Sequence, residues 1–433
     1  MKFIVQTFKN KMKFIFSILF KFKKNKKYIV SLFNQLASGI QTAGYTLYLA
    51  STLSRSDYGY FGLFVVTVGL ALSISEAGIG TQLSVGYFEN ESDLTKRKYV
   101  SAFFTLTLVL NLIPMIGAGI LFLILAPDKI IAGINVFHLI SLLLFCSLFG
   151  SVKSIYSRLF FLTGNEVAAL KSNVINGIVL VSVCYLNGAE DLKKCLENLI
   201  LSNLASCLYS FKITNVPFGI NKKYVIGIFN GIKNNAVWAV FGVIIIWIQN
   251  QSYTYISSTT LGIDAVAVAN VAKNFLLPIT FFSPALAQIF LPKMLRESSI
   301  KQVENLALTY SAVLITITLP YCFLLISYIY LFGNFALINK YSANELLPII
   351  IAWSLVAIAQ ATRGGVTLTY QVEKRFKEIS LITCCSAFFS VLSSVVLLKW
   401  LGVMGSVLGV LLGEMILGIF LWTRLKLRMG NVL

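Results

Sequence analysis

The chain has 433 residues, 57% of them hydrophobic and 12% charged, with a mean hydropathy of +0.80. A water-facing globule carries about twice that charge fraction, so a soluble domain is excluded. The net charge of +19 sits in short basic clusters at the ends of apolar segments, not on a sustained basic face, which argues against nucleic acid as a partner.

Residues 1–27 hold nine lysines and a short apolar patch, Phe14 to Phe20. More lysines follow the patch where a signal peptide would have a small-residue cleavage site, so we expect a basic amphipathic cytoplasmic arm or a polybasic tail held by anionic lipid. Apolar stretches then fill 28–52, 58–83, 99–126, 136–162, 168–188, 195–217, 233–257, 264–292, 303–333, 346–370, 376–400 and 402–424. Each is long enough to cross hydrocarbon, so the predicted fold is all-α, with about twelve transmembrane helices in two six-helix bundles facing a central cavity. The bundles would be 28–217 and 233–424, joined by a cytoplasmic linker at 218–232 that mixes Gly, Asn, Lys and apolar residues, with a tail at 425–433. The even layout predicts parallel repeats. One local match fits: Tyr48-Leu-Ala-Ser-Thr52 precedes Asp57 as Tyr255-Ile-Ser-Ser-Thr259 precedes Asp264.

Of the 36 Lys and Arg, 27 fall on the amino-terminal side of this layout and 6 on the other. That bias predicts cytoplasmic N- and C-termini. Lys153, Lys273 and Arg363 lie inside segments, where a charge costs about 3 kcal/mol or more and needs a partner or a wet cavity.

Lys273 is about 13 Å from the outer end of its segment; Asn270 precedes it by three and Asn274 follows at once, and the two asparagines, four apart, share a face. The three read either as ligands for an anionic group or as a helix–helix hydrogen-bond cluster. Arg363, three residues after Gln360, repeats the pattern, with bidentate phosphate binding or snorkelling to headgroups as its roles. Asn34 and Gln41 suit sugar hydroxyls or a polar contact between helices. Glu76 and Glu414 are candidates to carry a coupling ion or to neutralise a neighbouring basic residue. Asp264 reads as a helix cap. Pro278, Pro284 and Pro292 predict a helix that bends beside Lys273. The seven cysteines read as small hydrophobes, and the single histidine, His138, as an interfacial residue. No metal site or covalent chemistry is expected, so the protein is read as not an enzyme.

The stretch Tyr48-Leu-Ala-Ser-Thr-Leu-Ser-Arg-Ser-Asp-Tyr-Gly-Tyr-Phe-Gly62, with Ser75-Glu-Ala-Gly-Ile-Gly80, Phe161-Leu-Thr-Gly-Asn-Glu166 and the segment closing on Pro292, resembles the polysaccharide-export branch of the multidrug/oligosaccharidyl-lipid/polysaccharide exporters, the Wzx-type flippases. Where that family's second helix carries Asp-Phe-Gly, this chain has Glu76-Ala-Gly78. The resemblance implies two facing bundles in the bacterial inner membrane, with a polyprenyl-diphosphate-linked O-antigen or capsule unit as cargo. It also implies a polysaccharide polymerase and chain-length machinery as partners. No cofactor is expected beyond a coupling ion, H+ or Na+. The residues leave open a small-molecule or drug cation antiporter of the same superfamily and, further off, a membrane oligosaccharide polymerase.

Overall fold

The structure is a computed structural model that describes residues 26–80, 93–112, 136–214, 222–332 apart from Ser298, 340–373 and 375–430, with isolated positions between 81 and 120. The arm expected before residue 26 lies outside the described residues. Twelve α-helices are described: α1 (Lys26–Thr52), α2 (Arg55–Ser75), α3 (Asp93–Leu110), α4 (Val136–Leu162), α5 (Glu166–Asn187), α6 (Leu192–Thr214), α7 (Lys222–Thr260), α8 (Ile263–Asn274), α9 (Leu277–Arg296), α10 (Ile300–Phe332), α11 (Ala343–Val372) and α12 (Phe376–Gly430). Among the described residues, seven helices are long and apolar enough to cross a membrane, or eight if the bent pair α8–α9 is one span. All-helical membrane architecture is therefore established.

Local chemistry sets the boundaries. Ser54 starts α2 by accepting the Asp57 amide at 3.1 Å and donating its hydroxyl to the Asp57 carboxylate at 2.6 Å, which satisfies an amide the helix cannot. The far end of α2 continues as a π-helical turn, Glu76–Gly80. The segment that was read as a linker is helical from Lys222 and runs without a break into the apolar part of α7.

Between α8 and α9 the axis bends by 53°. Pro278, at the start of α9, has no amide hydrogen to leave unsatisfied there, so a new helix begins at little cost. Pro284 and Pro292 are carried inside α9 without ending it.

The helix α12 turns back on itself at Gly402, whose φ of 58° and ψ of −140° are open to glycine at no steric cost. Its two arms pack through small residues: Gly409 and Gly413 meet Ser394 and Ser390, and Ser394 donates to the Ser406 carbonyl at 3.0 Å. Backbones approach this closely only where side chains are small. Gly409→Leu should lower thermal stability in detergent by about 1–3 kcal/mol through overpacking; an unchanged unfolding curve would refute that contact.

Helices α1–α6 pack mainly among themselves, as do α7–α12, and the two groups meet chiefly along α1 and α2 against α7, α8 and α9. At that seam α2 lies on α8, flanked reciprocally by α2 on α7 and α1 on α9. The helices that follow the two matching Tyr-x-x-Ser-Thr motifs are thus the ones in contact. Thr67 and Tyr255 share a hydrogen bond across the seam at 2.9 Å.

Candidate functional site

The seam is tight because α2 places Gly59 and Gly62 against α8. A side-chain carbon on Gly59 would strike the Ile263 carbonyl, and one on Gly62 would strike the Asn270 amide. Asn274 donates to the Tyr58 hydroxyl across the seam at 2.6 Å. Asn270 accepts from the Tyr253 hydroxyl at 3.0 Å, while its own buried Nδ2 has no acceptor. Asn270 and Asn274 therefore serve the contact between the two helix groups in this conformation.

Lys273 turns the other way, toward α7 and α11. Its ammonium donates to Gln251 Oε1 at 3.1 Å and to the Tyr253 hydroxyl at 3.4 Å, and it lies 4.9 Å from the Trp353 ring centre and 5.1 Å from that of Tyr253. Aromatic faces attract a cation when water is scarce, and the carbonyl end of α8 adds a favourable dipole. No carboxylate pairs with Lys273 among the described residues. It is a partly buried cation, without a counter-charge, beside a helix break.

Arg363 is different. Its Nε and Nη2 both donate to Glu414, the second at 3.1 Å, and Gln360 donates to the same carboxylate at 3.1 Å. The Glu414 side chain is 0% exposed and that of Arg363 17%. The guanidinium also borders a cavity of about 400 Å³ between α9, α10 and α11, lined by Thr280, Ser283, Tyr310, Gln360 and Thr367 among others. Arg363 is the one charged residue in that lining. Ten residues of α11 separate Trp353 from Arg363, about 15 Å at the helical rise. Lys273 touches Trp353 and so sits beside an earlier part of α11 than Arg363 does.

The remaining sequence candidates fall elsewhere. Asn34 accepts from Asn173 at 2.8 Å, Gln41 donates to Asn176, and Asn176 donates to Asn203 at 3.0 Å. These amides tie α1 to α5 and α6, the polar contact between helices that was one of their two readings. Glu76 pairs with Arg158 at 3.0 Å, with 45% of its side chain exposed. Asp264 is not the cap: Gly262, with φ of 89°, holds that position, and Asp264 lies exposed in the first turn of α8. His138 contacts Glu197 at 3.5 Å, and the seven cysteines form no disulfide with one another.

The cage around Lys273 was not legible, because Gln251, Tyr253 and Trp353 are 20 to 80 residues away and each alone resembles ordinary core or interface. A second feature also escaped. At the α1–α2 turn, Arg55 donates to Glu345 at 2.9 Å and to the Lys340 carbonyl at 2.9 Å, and lies 4.8 Å over the Tyr341 ring. Lys340 returns hydrogen bonds to the Leu53 and Thr52 carbonyls at 2.8 and 3.1 Å. Tyr341 is buried beneath this cluster, which holds its phenol above the ordinary value, with Arg55 pulling the other way.

No family model and no curated protein matches the chain. Solved structures do. The chain is similar in fold to the lipid II flippase MurJ in an inward closed conformation, with a TM-score of 0.69 at 15% identity over 92% of this chain and 87% of that one. It is also similar to an outward-facing multidrug resistance MATE family transporter of the MOP superfamily (TM-score 0.60, 14% identity, 94% and 97% covered). A MOP superfamily transporter from Pyrococcus furiosus, described as having a binding pocket of reversed polarity, matches at 0.60 with 12% identity over 93% and 94%. The chain thus shares its fold with these transporters. These structural neighbours are transporters, not enzymes.

Proposed function

We propose that this protein is a flippase that carries a polyprenyl-diphosphate-linked oligosaccharide, an O-antigen or capsule repeat unit, across the bacterial inner membrane by alternating access. In this reading α1–α6 form one bundle and α7, α8–α9, α10, α11 and the two arms of α12 the other, giving twelve crossings with both termini cytoplasmic. Residues 28–217 and 233–424 are the two moving bodies. A polymerase and its chain-length machinery take the product.

One observation carries the anionic cargo: among the described residues Lys273 has no carboxylate partner, within an apolar segment where an uncompensated charge is costly. A diphosphate would supply the missing charge, and parting of the seam would expose Asn270 and Asn274 beside it. Arg363 and Gln360, deeper toward the cytoplasm in the proposed orientation, meet the headgroup at an earlier stage of passage, since Arg363 lies about 15 Å along α11 from Trp353, which Lys273 touches. Asn34 and Gln41 can contact sugars only by leaving their partners in α5. Glu414 and Glu76 are the candidates for coupling to H+ or Na+.

An antiporter of small organic cations would need a carboxylate available to the cargo. The buried one, Glu414, is already committed to Arg363 and Gln360, and this favours the flippase. Labelled polyprenyl-diphosphate-sugar crossing reconstituted liposomes tests the proposal: Lys273→Ala should cut the rate at least tenfold and Lys273→Arg should retain part of it. Wild-type flipping by Lys273→Ala at equal protein levels would end the assignment.

A further inference from the structure

A second cavity lies far from the seam, at the end of the α1–α6 group where α3 begins, α4 turns into α5 and α6 ends. It measures about 280 Å³. Its floor is apolar, formed by the buried side chains of Val100, Leu159 and Phe160. Its rim is cationic and polar: Lys96, Arg97 and Asn165. Lys96 leans over the Tyr87 ring at 5.6 Å, which leaves its hydrogens available. Arg97 is exposed and has no ion pair or hydrogen bond among the described residues. The Asn165 side chain is exposed and makes no capping bond to α5 although it stands at the capping position, and its amide is available as a donor at the rim.

The hydroxyls in the wall add no further donor. Thr163 and Thr214 spend their hydrogens on the Leu159 and Ser210 carbonyls, each at 2.9 Å. Neither offers a donor, so recognition falls to the two cations and the amide. Two positive groups and a donor above an apolar floor match one chemistry, a phosphate joined to a hydrocarbon chain.

We propose that this cavity is a binding site for a lipid phosphate, separate from the passage at the seam. Phosphate oxygens bridge Lys96 and Arg97 and the first carbons of the chain lie on Phe160 and Leu159. The site faces the cytoplasmic leaflet in the proposed orientation, where such lipids carry their headgroups. The location rests on that orientation; the chemistry does not rest on the identity of the cargo.

The test is lipid retention by the full-length protein in detergent, read by native mass spectrometry at raised salt, with phosphatidylglycerol, farnesyl diphosphate and inorganic phosphate as separate probes. Two variants are compared: Lys96→Ser with Arg97→Ser, and a control, Lys301→Ser with Lys426→Ser, which removes the same charge from exposed positions on the same side. One adduct of phosphatidylglycerol or farnesyl diphosphate should weaken by about tenfold in the first variant and survive in the control. Retention of phosphatidylglycerol identifies a bilayer lipid as the source, and retention of farnesyl diphosphate identifies the head of a prenyl-linked cargo. Equal loss in both variants reduces the cavity to generic surface charge and overturns the site, as does loss in neither, or retention of inorganic phosphate alone. Flipping assayed in parallel keeps the outcomes apart, because a failed flippase with an intact lipid adduct would leave this site standing.

Discussion

Glu414→Ala should destabilise the protein by about 3–5 kcal/mol, the cost of leaving one member of a buried ion pair without the other. Against a total stability of about 5–15 kcal/mol, that is enough to remove much of the folded protein at growth temperature. The stranded group would be the Arg363 guanidinium, with Gln360 also deprived of its acceptor. Arg363→Met combined with Glu414→Met should restore most of the lost stability, because two apolar side chains of similar volume can replace a buried pair at little cost. The double variant then separates architecture from transport. If Arg363 meets the cargo, the double variant unfolds like wild type in detergent yet flips at least tenfold more slowly. Wild-type stability of Glu414→Ala would show that the pair contributes nothing, and wild-type flipping by the stable double variant would remove Arg363 from the passage.

This pair also shows what a single sequence can and cannot reveal. Arg363 and Glu414 each stood out as charges in apolar surroundings, but their partnership spans 51 positions and no local pattern encodes it. Reading them separately counted Arg363 as a positive group open to cargo. The fold cancels that charge and leaves Lys273 as the more telling one. Lys273 was legible because depth in a segment can be counted along the chain. Its cage was not, since pairing across helices depends on tertiary packing.

Helix limits followed the same division. The span 136–162 coincides with α4, where a continuous apolar run is bounded by polar residues at both ends. The turn at Gly402 coincides with the first residue of the last predicted segment, because glycine there interrupts two long apolar runs. The bend beside Lys273 was foreseen from three prolines, yet it occurs once: Pro278 is at a helix start, where a missing amide is harmless, whereas Pro284 lies mid-helix and costs one bond without breaking it. Amphipathic composition at residues 222–232 suggested a surface connection. Ile228 and Ile232 pack against the cluster around Ile79, Tyr99 and Phe160, and this burial lets α7 begin at Lys222, before its apolar run.

Glu345→Ala together with Lys340→Ala should open the end of the seam at the α1–α2 turn, which is the outer end in the proposed orientation. Arg55, Lys340 and Glu345 join the α1–α2 turn to the start of α11, and every one of those bonds must break before the outer ends part. The ion pair is about one-third exposed on both sides, so it contributes at most about 1 kcal/mol. The Lys340 ammonium on the last carbonyls of α1 adds about 0.3–1 kcal/mol. A combined loss of about 1–2 kcal/mol shifts the balance between closed and open seams roughly tenfold. Val266, fully buried in α8 beside the seam, provides the reporter. In a Val266→Cys background, a membrane-impermeant maleimide added from outside should label the double variant several-fold faster than its parent. The swap Arg55→Glu with Glu345→Arg should return labelling most of the way, since it restores the ion pair but not the bond to the Lys340 carbonyl. Labelling unchanged by the alanines would show that Gly59, Gly62 and the α2–α8 packing close the outer side without help from charge. Labelling unrelieved by the swap would show that the turn, and not the pairing, matters. The size of the effect follows from the exposure of the groups: a latch worth about 1–2 kcal/mol keeps the seam closed most of the time and, in the proposed cycle, would yield to the binding of one cargo headgroup.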